Sequence, residues 1–247
     1  MRTLRILSCI FAFLLAATSV QADQITVSAA ASLTNAFTDI KNAFEKLHPE
    51  HQVFVNFAAS NPLLKQIKEG AAVDVFASAD QDTMDLAAKD NLIDPKTRTD
   101  FVRNTLVLIA PKNNTKIKKL DDIKKSSRIA IGKPESVPAG RYTQEALTQA
   151  KLWDSLQSTF IYGNSVRQVL DYVARDEVDC GFVYGTDAQK RKDAVNVVTV
   201  MQGHKPILYP IAIVKTGKNP KTGQAFIDFV LSEQGRSILN QHGFSKP

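Results

Sequence analysis

The chain has 247 residues, two cysteines and a formal net charge of +6 at pH 7. So small an excess, carried by dispersed lysines, excludes nucleic-acid binding as the main function, and we predict no nucleic-acid partner. The length leaves room for two domains of about a hundred residues, each with its own core.

The first 22 residues have the pattern of a secretory signal peptide. Two arginines precede an apolar run of about a dozen residues, shorter than the roughly 20 that a membrane-spanning helix needs. Val20 and Ala22 occupy the small-residue positions before a cleavage point. We therefore predict a signal peptide over 1–22, cleavage near Ala22 and a periplasmic protein that begins at Asp23. An uncleaved anchor is the alternative.

Cleavage would change both the charge and the thiol content of the chain. It removes two of the 31 basic residues, so that 29 face 25 acidic residues and the net charge becomes about +4. It also removes Cys9, so no disulfide can form and Cys180 is the single thiol. Cys180 alternates with Val178 and Phe182, which predicts a buried and unreactive cysteine in a strand.

Short β-rich runs alternate with amphipathic helical stretches along the predicted mature chain. Strands are predicted at 24–30, 52–57, 73–78, 105–110, 128–131, 159–162, 179–184 and 209–214. Helices are predicted at 33–47, from 63 to a stop at Gly70, and at 84–88, 142–152, 166–175 and 224–240. This alternation indicates an α/β fold with largely parallel sheets flanked by helices.

Two of the strands are apolar throughout, as expected for strands buried on both faces. They cover residues 105–110 and 209–214, and we interpret them as the crossings between two lobes. Lobe I would consist of 23–104 and 205–247, and lobe II of the inserted residues 105–204. The lobes would be hinged near residues 104 and 205.

Small and hydroxyl-bearing residues cluster where strands turn into helices, which is where α/β proteins bind ligands. A helix start also exposes unpaired N–H groups and the positive end of the helix dipole, so it binds anions without a cationic side chain. The candidate residues are Ser32, Ser60, Ala139, Val166 and Tyr184. For each serine the competing interpretation is an ordinary helix cap, and for the tyrosine it is plain packing.

Six phrases of the sequence carry a family resemblance: AAASLTNAF, FAAS followed by LLKQI, VDVFASAD, VPAGRYTQEAL, GNSVRQVL and VYGTDA. They resemble, in order and over essentially the whole mature chain, the molybdate-binding proteins of bacterial molybdate ABC importers. The resemblance implies a two-lobed type II periplasmic binding protein fold with the ligand cleft between the lobes. It also implies a monomer that holds molybdate or tungstate and delivers it to the membrane permease of an ABC importer.

The resemblance gives the five candidate residues specific roles. Ser32 and Ser60 donate through hydroxyl and amide, Ala139 and Val166 through backbone amides, and Tyr184 through its phenol. No cofactor is implied, and no bare metal cation is coordinated, because molybdenum is bound as its oxyanion. The chain departs from the family pattern after Ser60, where Asn61-Pro62 replaces further serine or threonine.

An enzyme is the first alternative. The nucleophile-elbow and nucleotide-binding motifs are absent from the sequence, and none of its four histidines is near Ser32 or Ser60 in the chain. A serine hydrolase is therefore a remote alternative. His48 and His51 in HPEH suggest a metal site, but a solvated loop is the preferred interpretation. Asp74 and Asp80 could form an acid pair, although local capping is preferred.

A binding protein for another ligand is the second alternative, such as sulfate, phosphate or an organic acid. A carboxylate ligand usually requires an arginine fork, for which Arg141 or Arg167 is available, although Arg167 is expected to face solvent. Protonated phosphate needs a carboxylate acceptor, and the five segments place only Glu135 nearby. Sulfate carries the same charge as molybdate, so only the size of the cavity can separate the two.

Overall fold

The computed structural model describes residues 23–247 and contains two five-stranded sheets, each flanked by helices. The predicted signal peptide lies outside these residues. The ten strands are β1 (Asp23–Ala30), β2 (His51–Ala58), β3 (Val75–Ala77), β4 (Thr99–Asn104), β5 (Leu106–Pro111), β6 (Ile129–Gly132), β7 (Phe160–Gly163), β8 (Cys180–Tyr184), β9 (Val195–Val200) and β10 (Ile207–Ile213).

The helices lie between these strands and after the last of them. They are α1 (Thr34–Leu47), α2 (Ser60–Lys68), α3 (Gln81–Lys89), α4 (Pro138–Gln149), α5 (Trp153–Leu156), α6 (Val166–Ala174), α7 (Gly185–Lys190), α8 (Pro220–Leu231) and α9 (Glu233–Gln241). Short 3-10 turns cover Ala31–Leu33, Leu120–Lys125 and Gln157–Thr159. Within residues 23–247, no helix combines the length and the apolar character needed to cross a bilayer.

The two sheets have the same design. The first has the order β2-β1-β3-β10-β4 and the second has the order β7-β6-β8-β5-β9. In each sheet two strand pairs are parallel and two are antiparallel, because one strand runs against the other four. The sheets are therefore mixed, and the expectation of largely parallel sheets holds for four strands out of five.

The reversed strands are the ones that enter a lobe from the other lobe. β4 ends at Asn104 in the first sheet and β5 starts at Leu106 in the second, while β9 and β10 make the return crossing. Because β5 and β10 start at the cleft where the other strands end, each must run antiparallel to its neighbours. The two apolar runs predicted as crossing strands are these two strands.

Two strands, the short helices α5 and α7 and several helix boundaries differ from the prediction. β4 and β9 were not predicted; they are edge strands, next to β10 in the first sheet and next to β5 in the second, and each has exposed residues. The predicted C-terminal helix is divided into α8 and α9 at Ser232, whose hydroxyl accepts a hydrogen bond from Gly235 N at 3.1 Å and so caps a new helix.

One hydrophobic cluster of buried residues extends through both lobes. Tyr184 of β8 and Tyr209 of β10 meet in it edge-to-face, with ring centroids 5.8 Å apart. A smaller cluster around Leu63, Phe76 and Met84 packs α2 and α3 against the first sheet. The lobes thus meet at the crossings, and the strand ends around them line the cleft.

Candidate ligand-binding site

A small cavity lies between the lobes, at the ends of β1, β2, β3, β6, β7 and β8. Its walls are formed by Ala30, Ala31, Ser32, Ala59, Ser60, Ala79, Val137, Pro138, Ala139, Val166 and Tyr184. All five residues selected from the sequence therefore line one space, although they are up to about 150 positions apart in the chain.

The size and the lining of this cavity restrict its ligand. It offers about 10 Å³ of room to a water-sized sphere, far below the roughly 300 Å³ at which pockets for drug-sized molecules begin. Among the described residues, no lysine, arginine, histidine, aspartate or glutamate lines it. A ligand that fits this cavity would be only a few atoms across and would meet no charged side chain among the residues that line it.

Ser32 lies in the 3-10 turn that follows β1, and its hydroxyl does not cap a helix. Its Oγ lies 2.9 Å from the Tyr209 hydroxyl, and both side chains are buried. The interpretation as an ordinary helix cap is therefore wrong for Ser32. Its hydroxyl lines the cavity instead.

Ser60 is the first residue of α2, one position past the cap, and it is fully buried. Its Oγ accepts a hydrogen bond from the backbone N–H of Ala79 at 2.9 Å. A hydroxyl that accepts from a backbone amide still has its own proton to donate. Ser60 therefore does not cap α2, and its hydroxyl proton is free to point into the cavity.

Ala139 and Val166 contribute backbone amides from lobe II. Ala139 is the second residue of α4 and Val166 is the first residue of α6, so neither N–H has a partner within its own helix. A glycine positions α4: a Cβ on Gly140 would lie 2.1 Å from the carbonyl oxygen of Gly132, the last residue of β6. This close approach brings the helix start, with its positive dipole end, onto the strand end.

Tyr184 ends β8 and is 1% exposed. Within residues 23–247 its hydroxyl has no hydrogen-bond partner, which is unusual because a buried phenol normally has one. Burial raises the pKa of Tyr184 well above its ordinary value of 10.0, so the phenol keeps its proton at any physiological pH. Tyr184 therefore presents an unused donor to the cavity.

Together these groups form a cage of hydrogen-bond donors. Three hydroxyls and the amides of three helix starts converge from both lobes, and no carboxylate of residues 23–247 lines the cavity. Oriented N–H and O–H dipoles in a buried site stabilise negative charge, and they do so more strongly than in water. The arrangement fits a small, fully deprotonated anion.

Arg141, considered above as a carboxylate fork, is engaged by the protein itself. Its guanidinium reaches from α4 to lobe I, where Nε donates to Asp80 Oδ2 at 3.0 Å and Nη2 also contacts that carboxylate. Nη2 donates further to Asn61 Oδ1 and Thr83 Oγ1, each at 3.0 Å. We refer to Arg141, Asp80, Asn61 and Thr83 as the cross-cleft clasp. Asn61, where the sequence departs from the family pattern, is thus part of a contact between the lobes.

Arg167 is the second arginine that the protein engages, and the expectation that it faces solvent is wrong. Its Nε lies 2.6 Å from the buried carboxylate of Asp187, and Nη1 donates to Asn35 Oδ1 at 2.8 Å. Nη2 donates to the carbonyl oxygen of Ser32 at 3.2 Å. Burial raises the pKa of the Asp187 carboxyl, and the Arg167 guanidinium opposes that rise. Arg167 therefore joins the lobes, and it is not among the residues that line the cavity.

The remaining candidates lie away from the cavity. Glu135 is exposed and does not line it. Asp80 caps α3 by accepting from Thr83 N at 3.2 Å, in agreement with the predicted capping role. His48 Nδ1 and His51 Nε2 approach Glu50 Oε1 to 3.5 and 3.6 Å, so the three side chains are close enough to share a metal ion, on a part of the surface remote from the site.

Sequence reasoning missed Tyr209, Asn104 and the clasp. Asn104 Nδ2 donates to Tyr209 Oη at 3.2 Å, and Tyr209 in turn contacts Ser32. A tyrosine within an otherwise apolar crossing strand was the available signal, since a buried phenol requires a partner. The identity of that partner could not be read, because Ser32 lies 177 positions away.

A family model for the bacterial extracellular solute-binding proteins matches residues 25–245. The chain belongs to this family of bacterial extracellular solute-binding proteins. It is 40% identical to the molybdate-binding protein ModA of Escherichia coli, over 90% of this chain and 89% of the relative. It is 39% identical to a putative ABC transporter substrate-binding lipoprotein, YvgL, of Bacillus subtilis, over 90% of this chain and 86% of the relative.

Solved structures of solute-binding proteins show the same architecture. The substrate-binding domain of a putative molybdenum ABC transporter from Clostridium difficile superposes with a TM-score of 0.70 at 36% identity, covering 91% of this chain and 99% of that domain. The predicted two-lobed type II binding protein fold is thereby confirmed, as is the resemblance to the molybdate-binding proteins. This family consists of binding proteins and not of enzymes.

Proposed function

We propose that this solute-binding protein captures molybdate, or tungstate, between its lobes and delivers it to the membrane permease of an ABC importer. The proposal includes a signal peptide over 1–22, a periplasmic monomer, and lobes divided into 23–104 with 205–247 and into 105–204. It requires no cofactor and no catalytic step. The relatives named for molybdate and for molybdenum transport support it.

A single observation carries the proposal: a small cavity is lined by uncharged donors from both lobes and, within the described part of the chain, by no charged side chain. A small dianion without protons matches this cavity, because each of its oxygens can only accept. Ser32, Ser60 and Tyr184 would supply hydroxyls, and Ala139 and Val166 would supply amides.

The hydrogen bonds of such a cage are strong enough for tight binding of the anion. Hydrogen bonds to a charged group contribute about 1.5 to 3 kcal/mol each. Five to seven of them therefore exceed the roughly 8 kcal/mol of micromolar binding, even after the cost of association. Tight capture needs neither a metal ion nor a cationic side chain.

A thermal-shift screen of oxyanions tests the ligand. A ligand present at 1,000 times its Kd stabilises the folded state by about 4 kcal/mol, which raises the Tm of a chain of this size by roughly 8 to 16 °C. We expect that shift with molybdate and tungstate, and none with sulfate, hydrogen phosphate or amino acids. The shift should be smaller for Ser32→Ala and unchanged for Ser237→Ala, an exposed serine on α9. Stabilisation by sulfate or hydrogen phosphate alone contradicts the proposal.

A further inference from the structure

Asn104 stands at the crossing from β4 to β5, and its amide has a defined orientation. Its Oδ1 accepts from the backbone N–H of Thr105 at 2.9 Å, so the opposite side of the amide must be the NH₂ group. That Nδ2 donates to Thr186 Oγ1 at 2.9 Å and to Tyr209 Oη at 3.2 Å. Both of its protons are thereby used.

The orientation of the Asn104 amide determines the direction in which the hydroxyl proton of Tyr209 points. Tyr209 is fully buried, and its hydroxyl accepts from Asn104, so its own proton is left to donate. Ser32 Oγ lies 2.9 Å from Tyr209 Oη, within reach of that proton. Burial also raises the pKa of Tyr209, so this proton stays on the phenol. When Ser32 Oγ accepts this proton, the proton of Ser32 itself is left to donate.

We propose that Asn104 and Tyr209 are positioning residues that orient the Ser32 hydroxyl as a donor toward the ligand and so favour oxyanions without a proton. We refer to Asn104, Tyr209 and Ser32 as the donor relay. The Ser60 hydroxyl is also left with a proton to donate, because its Oγ accepts a hydrogen bond from the backbone N–H of Ala79 at 2.9 Å. This inference rests on the proposed oxyanion-binding function and adds the origin of its selectivity.

The selectivity for molybdate over hydrogen phosphate follows because Ser32 no longer offers one of its lone pairs as an acceptor. Hydrogen phosphate carries an O–H group that must find a lone pair in the cavity, and an unpaired buried donor is costly. In the relay one lone pair of Ser32 is occupied by the Tyr209 proton, and none of the carboxylates in the described chain lines the cavity. Molybdate, which has no proton to place, does not incur this cost.

Tyr209→Phe is the direct test, because it removes one oxygen and keeps the ring. The ring packs edge-to-face on Phe101, Tyr184 and Phe244, so the fold is expected to persist. We expect molybdate affinity, measured by calorimetric titration, to fall about tenfold. Because Ser32 then regains a free lone pair, the ratio of molybdate affinity to hydrogen phosphate affinity, measured by displacement, should fall as well.

Two variants provide controls for this titration. Tyr184→Phe removes a hydroxyl that lines the cavity without freeing an acceptor, so it should lower the affinity for both anions by a similar factor and keep their ratio. Tyr162→Phe alters an exposed tyrosine and should change neither quantity. A ratio that stays constant in Tyr209→Phe, or an unchanged molybdate affinity, overturns the relay.

Asn104→Ala tests whether Asn104 acts through Tyr209. In the wild-type background it should reduce both the molybdate affinity and the ratio, and in the Tyr209→Phe background it should have little further effect. Additive losses in the double variant contradict the relay.

If Tyr209→Phe fails to fold, Asn104→Ala alone tests the predicted fall in the ratio of molybdate affinity to hydrogen phosphate affinity. A wild-type protein that binds no oxyanion contradicts the proposed function itself, whereas wild-type binding with an unchanged ratio contradicts only the relay.

Discussion

At the scale of single residues, the site depends on which hydroxyl protons the protein leaves unused. Ser60 accepts from Ala79 N, Ser32 contacts Tyr209, and Tyr184 Oη has no partner within residues 23–247. A folded chain normally satisfies such buried groups internally. Three unused donors around one cavity are therefore better explained by a ligand than by stability.

The variant Tyr184→Phe separates a role in ligand binding from a role in stability. The variant loses a donor to the anion, so we expect molybdate affinity to fall by about 1.5 to 3 kcal/mol, which is roughly 10- to 150-fold. The unfolding free energy of the ligand-free protein should change by less than about 1 kcal/mol, because no protein group loses a partner. Calorimetry and urea unfolding measure the two quantities. Unchanged affinity would remove Tyr184 from the site.

Cys180 gives a prediction about reactivity. The thiol is fully buried in β8, and burial raises its pKa to about 12. Since the thiolate is the reactive form, only about one molecule in ten thousand carries it at pH 8. We expect iodoacetamide to label native protein at pH 8 far more slowly than protein in denaturant. Equal labelling rates would show that the thiol is accessible.

The five site residues were predictable because each follows a strand and opens a turn or a helix, a local pattern that the sequence displays. Their convergence on one cavity follows from the geometry of strand ends. The positioning residues were not predictable in the same way. Tyr209 meets Ser32 across 177 positions, and Arg141 meets Asp80 across 61, so no local pattern announces either contact.

At the scale of elements, the starts of three helices present partial positive charge to an anion. The clasp holds the lobes that carry these helices close to each other. α2 belongs to one lobe, and α4 and α6 belong to the other, so their amides surround an anion only when the lobes are closed. The guanidinium of Arg141 is mostly buried against Asp80, and it crosses the cleft beside the cavity. The clasp therefore favours the closed state without touching the ligand.

Arg141→Ala is expected to weaken molybdate binding by about 1 to 2 kcal/mol, or roughly 5- to 30-fold, mainly through faster release. The donors that line the cavity are unchanged, so only closure loses energy. Stopped-flow displacement measures the release rate. Arg98→Ala is the matched control, because Arg98 is similarly buried and pairs with Asp85 within one lobe. An equal effect of both variants would show that the clasp has no special role.

The helices and strands show the same limits of sequence reasoning. Eight strands were predicted because they are central or because their apolar alternation is strong. β4 was missed because Asp100 and Arg103 interrupt its pattern, whereas the valines of β9 are typical of a strand. The division between α8 and α9 depends on the Ser232 cap, a local hydrogen bond that the apolar periodicity does not reveal.

At the scale of the whole molecule, two short crossings connect the lobes, and the clasp and the contacts of Arg167 span the cleft. The clasp, the contacts of Arg167 with the Ser32 turn and the cavity donors can form only in the closed arrangement. Opening about the crossings near residues 104 and 205 would break these links and leave each sheet intact. This geometry is that of a hinge.

We therefore expect molybdate to close the molecule. The radius of gyration from small-angle scattering should decrease when molybdate is added, and it should not change when sulfate is added at the same concentration. Arg141→Ala should raise the radius of gyration of the ligand-free protein or leave it unchanged, but should not lower it. Identical scattering profiles with and without molybdate would contradict closure about the hinge.

The central claim is that uncharged donors from both lobes hold a dianion, and a crystal structure with molybdate tests it most directly. The account predicts anion oxygens at about 2.7 to 3.1 Å from the hydroxyls of Ser32, Ser60 and Tyr184 and from the amides of Ala139 and Val166. Arg141 should remain on Asp80. An anion located elsewhere, or one held by the guanidinium of Arg141 or Arg167, would contradict the claim.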